Sequence, residues 1–528
     1  MQTRKTSTLL AAALAAWRHL HTLGGQPYLI SIATVAAVLL TPDGMLDAHA
    51  QGKPDELTMP PALLDLNAPP SVLSLSSAQP VQTALRETAA SAQPGLAGAP
   101  AGSLDLVRAY ESMLLNDPQM HAARAARDAG RDAGNIARAA LLPQASINYM
   151  RNRTNQTEYY EGTAGRQSTD YDYYGRRAGL TVEQTLFDYS AISTYRMGKA
   201  QAEYAEVQYR LQFQQQAVAL IDAYLNALLA RDSLALARQQ LRVYQDMLRG
   251  NERLMAQGEG TRIDILETRS QVASTQAELV RYENGLADRL RELSALLGRP
   301  VQAQELMAVD QESLLPPLAY GDLATLLADA RQQNPEVQSA RLAVRYNDLT
   351  VEREKGQFMP RVSLYASHER MVSDTVNNRG RDYKTNTIGL QVSIPLFSGG
   401  HSYYSTRQAH NRLAQSRYEL EHTANTTETT LEQYYRVFST SPERVDTLRH
   451  NVADATDLVQ AMRKSVAGGE RTNTDALQAE RQSYQARQDL LHTYVEWFQA
   501  YAKLQFYAGR FSEEDVLVLN RHLLAQAQ

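Results

Sequence analysis

The 528-residue chain has no cysteine. That absence excludes disulfides, thiolate metal sites, cysteine nucleophiles and a lipid-bearing cysteine near the N-terminus. A phosphate-binding glycine loop and an HExxH motif are also missing, and the eleven histidines are scattered without ligand spacing. The formal net charge of -5 is too small to point to nucleic acid. After residue 50 no apolar run reaches the roughly 20 residues that a spanning helix needs. The expectation is therefore no catalytic centre, no metal and no cofactor, with any membrane contact made through strands or a surface. Phenylalanine is scarce, 8 against 28 tyrosines. The tyrosine excess suits a membrane interface and equally suits surface loops.

The first 50 residues read as an export signal. Arg4, Lys5 and Arg18 supply positive charge, residues 28–40 are apolar, and Ala48-His49-Ala50 is a small-x-small cleavage site before Gln51. The apolar core is too short for a comfortable span; the alternative is an N-terminal anchor. Residues 51–103 are rich in Pro, Ala, Ser and Gly without periodicity, which predicts a flexible extension.

From Ser103 onward the chain can be laid on itself. Pro118 matches Pro335 and Pro143 matches Pro360, both 217 positions apart; Leu180 matches Leu390 and Phe187 matches Phe397, both 210 apart. The change in offset falls between the two strands of each unit, where loop length varies freely. Two repeats are predicted, over 104–302 and 321–510, joined by a segment at 303–320 and followed by a C-terminal segment at 511–528. Each repeat reads as a short helix (104–116; 323–333), a helix opening on proline (118–141; 335–357), a strand, a polar tyrosine-containing loop (151–177; 370–384), a second strand and a long helical hairpin. The strands are expected at about 144–152 and 174–187, then 361–370 and 385–397.

The last strand gives the plainest pattern. Ile388, Leu390, Val392, Ile394 and Leu396 alternate with Gly389, Gln391, Ser393, Pro395 and Phe397, a period of two. The apolar set should face lipid, while Gly389, Gln391 and Ser393 face a lumen. Pro395 suits an edge or a bulge. Gly399-Gly400 should mark where strand gives way to helix.

The long helices are expected from Ser190 to Gln257 and from His401 to Val466, each about 100 Å long if continuous, the second kinked or broken at Pro442. Leucines at 234, 241 and 248 with Met255, and Ile265, Val272, Leu279, Leu286 and Leu293, repeat every seven residues and predict antiparallel coiled coils. Gly258 and Gly260, then Gly468 and Gly469, mark the reversals. Four strands of membrane-spanning length cannot close a barrel, and open sheet edges do not persist in lipid. Several copies must therefore pair their strands; three copies would give twelve. A soluble coiled-coil protein with a small sheet is the alternative.

These residues resemble the TolC family of trimeric outer membrane channels. The resemblance runs from Ser103 to the C-terminus. It is carried by LLPQ and MPR before the strands, LFDYS and IPLFSGG at the strand-to-helix exits, and GEGTRIDILETR and GGERTNTDALQAER at the helical turns. It implies a mixed α/β membrane protein: a homotrimer in outer membrane lipid with a 12-stranded barrel and a periplasmic α-helical tunnel in a Gram-negative bacterium. It implies docking, at the helix turns Gly258, Gly260, Gly468 and Gly469, to a periplasmic adaptor and an inner-membrane ABC transporter or proton-driven pump. It further implies a pore constriction at Asp475, with Gln478 one turn along, where three carboxylates near an axis would attract cations and raise one another's pKa. The gate latch it implies is Asp264 with Arg471, while Val466 stands where the best-known member has a tyrosine. The C-terminal YAGRFSEEDVLVLNRHL and the missing lipidation cysteine favour protein export by type I secretion. A multidrug efflux outlet and a periplasmic scaffold without a channel are the alternatives.

Overall fold

A computed structural model describes residues 104–163, 165–307 and 321–525. The expected signal, the extension at 51–103, most of the connecting segment and the last residues of the C-terminal segment lie outside the described residues. The described residues divide into two compact units: a sheet unit built from Ala139–Asp188 and Pro360–Ile394, and a helical unit built from the rest.

In the sheet unit four strands run antiparallel in the order β1 (Gln144–Gly162), β2 (Gly165–Phe187), β3 (Arg361–Val372) and β4 (Asp382–Ser393). Directly opposed residues share a face, and the register sorts the side chains. Ala145 and Ile147 oppose Val182 and Leu180; Val182 opposes Ala366; Val362, Leu364 and Ala366 oppose Val392, Leu390 and Ile388. One apolar band thus crosses all four strands. The other face carries Ser146, Thr181, Glu183, Ser363, Ser367, Thr387 and Gln391 at the same level. Among the described residues much of the band is uncovered: Ile147 is 82% exposed, Ile388 69% and Leu390 61%, while Ala366 on β3 is buried.

The sheet departs from expectation in two places. Residues 151–177 do not form a loop. The β1–β2 ladder continues to Gly162↔Gly165, and β3 joins it only at Arg176↔Val372. A two-stranded ribbon therefore extends past the end of the four-stranded region. Its threonines and tyrosines favour extended backbone, and its faces are polar on both sides. Arg153 Nε donates to Asp172 Oδ1 at 3.0 Å and Thr157 Oγ1 to Asp170 Oδ1 at 2.7 Å. Polarity on both faces removes the alternation that would have announced a strand. At the other end β4 stops at Ser393, so Pro395 lies past the last ladder pair, Arg361↔Ser393, where its missing N–H costs nothing. The ladder bulge falls instead in β2, between Thr185 and Phe187.

The helical unit contains α1 (Leu106–Asn116), α2 (Pro118–Ala139), α3 (Tyr189–Ala256), α4 (Arg262–Leu297), α5 (Leu323–Gln333), α6 (Pro335–Gly356), α7 (His401–Ala467), α8 (Asn473–Ala508) and α9 (Glu513–Ala525). α3 pairs with α4 and α7 with α8, and α6 lies against both α3 and α7. α7 is one continuous helix through Pro442. Its flank there is held by tertiary packing, with Phe438, Ser441 and Val445 all buried, so the lost hydrogen bond does not end it. The core sits midway along the long helices. Trp497 stacks on Phe438 with ring centroids 5.4 Å apart, and Tyr224 donates to Leu104 O at 2.9 Å. Asn520 Oδ1 accepts from Leu106 N at 3.0 Å, tying α9 to the start of α1. The expected heptad seam is buried at Leu234, Leu286 and Leu293, and Met255 at its tip end is exposed. No described helix is long and apolar enough to cross a membrane.

Candidate functional site at the hairpin tips

The two helical hairpins reverse with the same local chemistry. After α3, Gly258 takes φ +84°, and Gly260 packs so closely on the Leu254–Met255 backbone that a Cβ would fall 2.8 Å from Met255 N. After α7, Gly468 still has helical backbone and Gly469 takes φ +76°. Each returning helix then opens with a reciprocal capping box. Thr261 Oγ1 accepts from Asp264 N at 3.2 Å, and Asp264 Oδ2 accepts from Thr261 N at 3.2 Å and from its hydroxyl at 2.6 Å. Thr472 and Asp475 repeat this at 3.3, 3.1 and 2.9 Å.

The backbone N–H and hydroxyl of Thr472, with Arg471 adding its charge, hold the Asp475 carboxyl below the usual range. Within one chain the pull is thus opposite to the rise that a ring of like charges would cause. Asp475 is half-buried; Gln478, one turn along on the same side of α8, is exposed. Their neighbours Ala476, Leu477, Ala479 and Glu480 are packed inward.

Asp264 and Arg471 are not brought together as an ion pair among the described residues. Asp264 Oδ2 is occupied by its own cap, and Val466 is a half-buried residue of the last turn of α7. What joins the two hairpins at this level is a cluster that the sequence did not single out. Asn251 on α3 donates to Thr268 Oγ1 on α4 at 2.9 Å and to Asn473 Oδ1 on α8 at 3.0 Å. Asn473 in turn donates to Thr268 Oγ1 at 3.1 Å. Thr474 Oγ1 donates to Glu267 Oε2 at 2.7 Å. Thr268 is fully buried and Asn473 nearly so. Further along the same seam Tyr484 OH meets Tyr282 OH at 3.4 Å. The signal was legible: Thr268, Thr275 and Tyr282 recur every seven residues, a polar line in a coiled-coil seam.

Among the described residues no group of three His, Asp or Glu side chains is placed to hold a metal ion.

The model of the family described as "Outer membrane efflux protein" matches residues 109–299 and 326–510, one segment for each repeat. The chain belongs to that family, the outer membrane channels of the TolC type, and is an outer membrane protein of the Gram-negative envelope. It is 36% identical over 414 residues to the alkaline protease secretion protein AprF of Pseudomonas aeruginosa, covering 78% of this chain and 86% of the relative. It is 33% identical over 434 residues to the proteases secretion protein PrtF of Dickeya chrysanthemi, covering 80% and 92%. In fold it matches a crystal structure of CusC with a TM-score of 0.67 at 18% identity, over 79% of this chain and 95% of the other.

Proposed function

We propose that this chain is the outer membrane exit duct of a type I secretion system and passes protein across the envelope. Three copies would close their strands into a 12-stranded barrel in outer membrane lipid and line a periplasmic tunnel with their helices. A periplasmic adaptor would bind at the turns Gly258, Gly260, Gly468 and Gly469. An inner-membrane ABC transporter would supply the energy. The observation that carries the barrel is the single apolar band crossing four strands whose outer edges, β1 and β4, have no strand partner among the described residues. Protein rather than drug cargo is favoured by the likeness to AprF and PrtF, whose names record protease secretion. The family description favours efflux as a second reading. Deleting the gene distinguishes them: loss of a secreted protein with unchanged drug tolerance is expected, and the reverse would overturn the secretion reading.

At the periplasmic end, Asp475 and Gln478 would face the axis as the constriction. The latch would be shared between the Asn251–Thr268–Asn473 cluster and contacts of Arg471 and Asp264 made across copies. Asn473→Ala removes its hydrogen bonds to Asn251 and Thr268, a cost of about 0.5–1.5 kcal/mol each. In planar bilayers it is expected to raise conductance more than Arg471→Ala does. Unchanged conductance in both would remove the latch from this level of the helices.

A further inference from the structure

The apolar band of the sheet ends in charge, and the charge is of one sign. Arg151, Arg176, Arg370 and Lys384 each stand four residues past a member of the band on the same strand: Ile147, Leu180, Ala366 and Ile388. In all four strands the step runs away from the end that leads into a helix. An even step returns a side chain to the same face, so the four cations share the face of the band, about 13 Å further along the strands.

The register brings them together. Arg151 is directly opposite Arg176, and Arg370 is directly opposite Lys384. Arg370 also opposes Ala178, two residues from Arg176, so the two pairs occupy neighbouring rows. Like charges set directly opposite each other destabilise a sheet. The one acid in these two rows on this face is Asp382, and it pairs with Arg370 at 2.8 Å. Among the described residues Arg151, Arg176 and Lys384 are exposed and stand in no ion-pair contact. One row further out the excess has gone, because Arg153 is matched by Asp172. The opposite face at this level shows no such excess: Arg177 is set 3.6 Å from Asp374, and Glu369 stands in the next row.

We infer that Arg151, Arg176, Arg370 and Lys384 form a binding site for the phosphate groups of outer-leaflet lipid, whose acyl chains cover the band. This rests on the reading of the band as lipid-facing and gives that surface a specific partner. Cations that merely snorkel to a membrane boundary are free to spread apart. These are held opposite one another by the backbone register, and a phosphate between them turns repulsion into charge-assisted hydrogen bonds. The guanidinium forks suit phosphate oxygens two at a time, and Lys384 adds a point charge. Four cations against one carboxylate favour a lipid bearing two phosphates over a zwitterionic one.

The test uses the full chain purified in non-ionic detergent and washed free of native lipid. Bisphosphorylated lipid A or its dephosphorylated form is added, and bound lipid is read by native mass spectrometry. The bisphosphorylated form is expected to bind at about tenfold lower concentration. Equal binding of the two forms would overturn the site and leave lipid on the band; binding of neither would overturn the lipid-facing reading as well. Excess inorganic phosphate should leave the lipid in place, and its displacement would overturn the lipid as the occupant. Arg176→Gln combined with Lys384→Gln should abolish the tenfold preference, while Arg177→Gln, on the opposite face, should keep it. A neutralised variant with the original preference would overturn the assignment. Where that variant fails to assemble, Lys384→Arg decides. It keeps the charge, adds a second fork and should raise the preference; an unchanged or lower preference would overturn the site.

Discussion

α2 and α6 have the same length, the same opening proline and the same place in their repeats, yet one is covered and the other bare. α6 buries Val337, Ser339, Thr350, Val351 and Glu354; α2 buries only Met120. Helices of equal rank in a duplicated chain should be equally covered, because each has the same backbone to satisfy and an apolar side to hide. The difference locates the missing cover. α6 finds the other repeat inside its own chain, and α2 would find it in a neighbour. The sheet repeats the lesson, with β2 and β3 paired on both sides and β1 and β4 on one.

Three experiments would break or sharpen that contrast. The largest effect is expected in the sheet. Leu390→Arg places a charge in the apolar band at a cost of about 2–4 kcal/mol if that band faces lipid. Gln391→Arg, one residue on and on the opposite face, should cost far less. The amount of heat-resistant protein recovered from outer membranes reads the difference; equal recovery would remove the lipid assignment of this face. Next come paired truncations in the helices. Leu413→Ala, under α6, should destabilise by about 2–5 kcal/mol. Ile136→Ala, on the bare side of α2, should cost about 1–2 kcal/mol in the assembled protein if a neighbour buries it, and under about 0.5 kcal/mol if it stays a surface residue. Thermal melts of the purified protein separate the two. The smallest effect is at the second hairpin tip. The Asp475 carboxyl is depressed in the folded chain. Its cap therefore adds stability above the ordinary aspartate value of about 3.9 and loses it as pH falls through the lower folded value. Hydrogen exchange at residues 472–475 should be slow at pH 7 and rise below about pH 4 by more than the intrinsic rate change; parallel curves would mean the cap is not formed.

Much of this architecture was legible because it repeats. The offsets of 217 and 210 separate two repeats, each with a strand pair and long helices, and the alternation of Ile388, Leu390 and Val392 marks the apolar face of β4, while Ile394 and Leu396 continue the alternation past the end of the strand. Three features escaped, each for a physical reason. The outer part of the β1–β2 ribbon is polar on both faces, so it carries no alternation to detect. The Asn251–Thr268–Asn473 cluster is made of residue types that usually signify solvent, and only the seven-residue spacing on α4 betrays burial. The bare side of α2 could not be read, because an alanine-rich helix carries little sidedness and a neighbour leaves no mark in one chain's periodicity. The Asp264–Arg471 pair fails within the chain for a related reason: an aspartate three residues after a threonine at a helix start is claimed first by its own cap.

The central claim is that neighbouring copies cover what one chain leaves bare. Native mass spectrometry of the detergent-solubilised protein tests it most directly. Three chains per particle are expected, and a particle holding one or two chains would contradict the account.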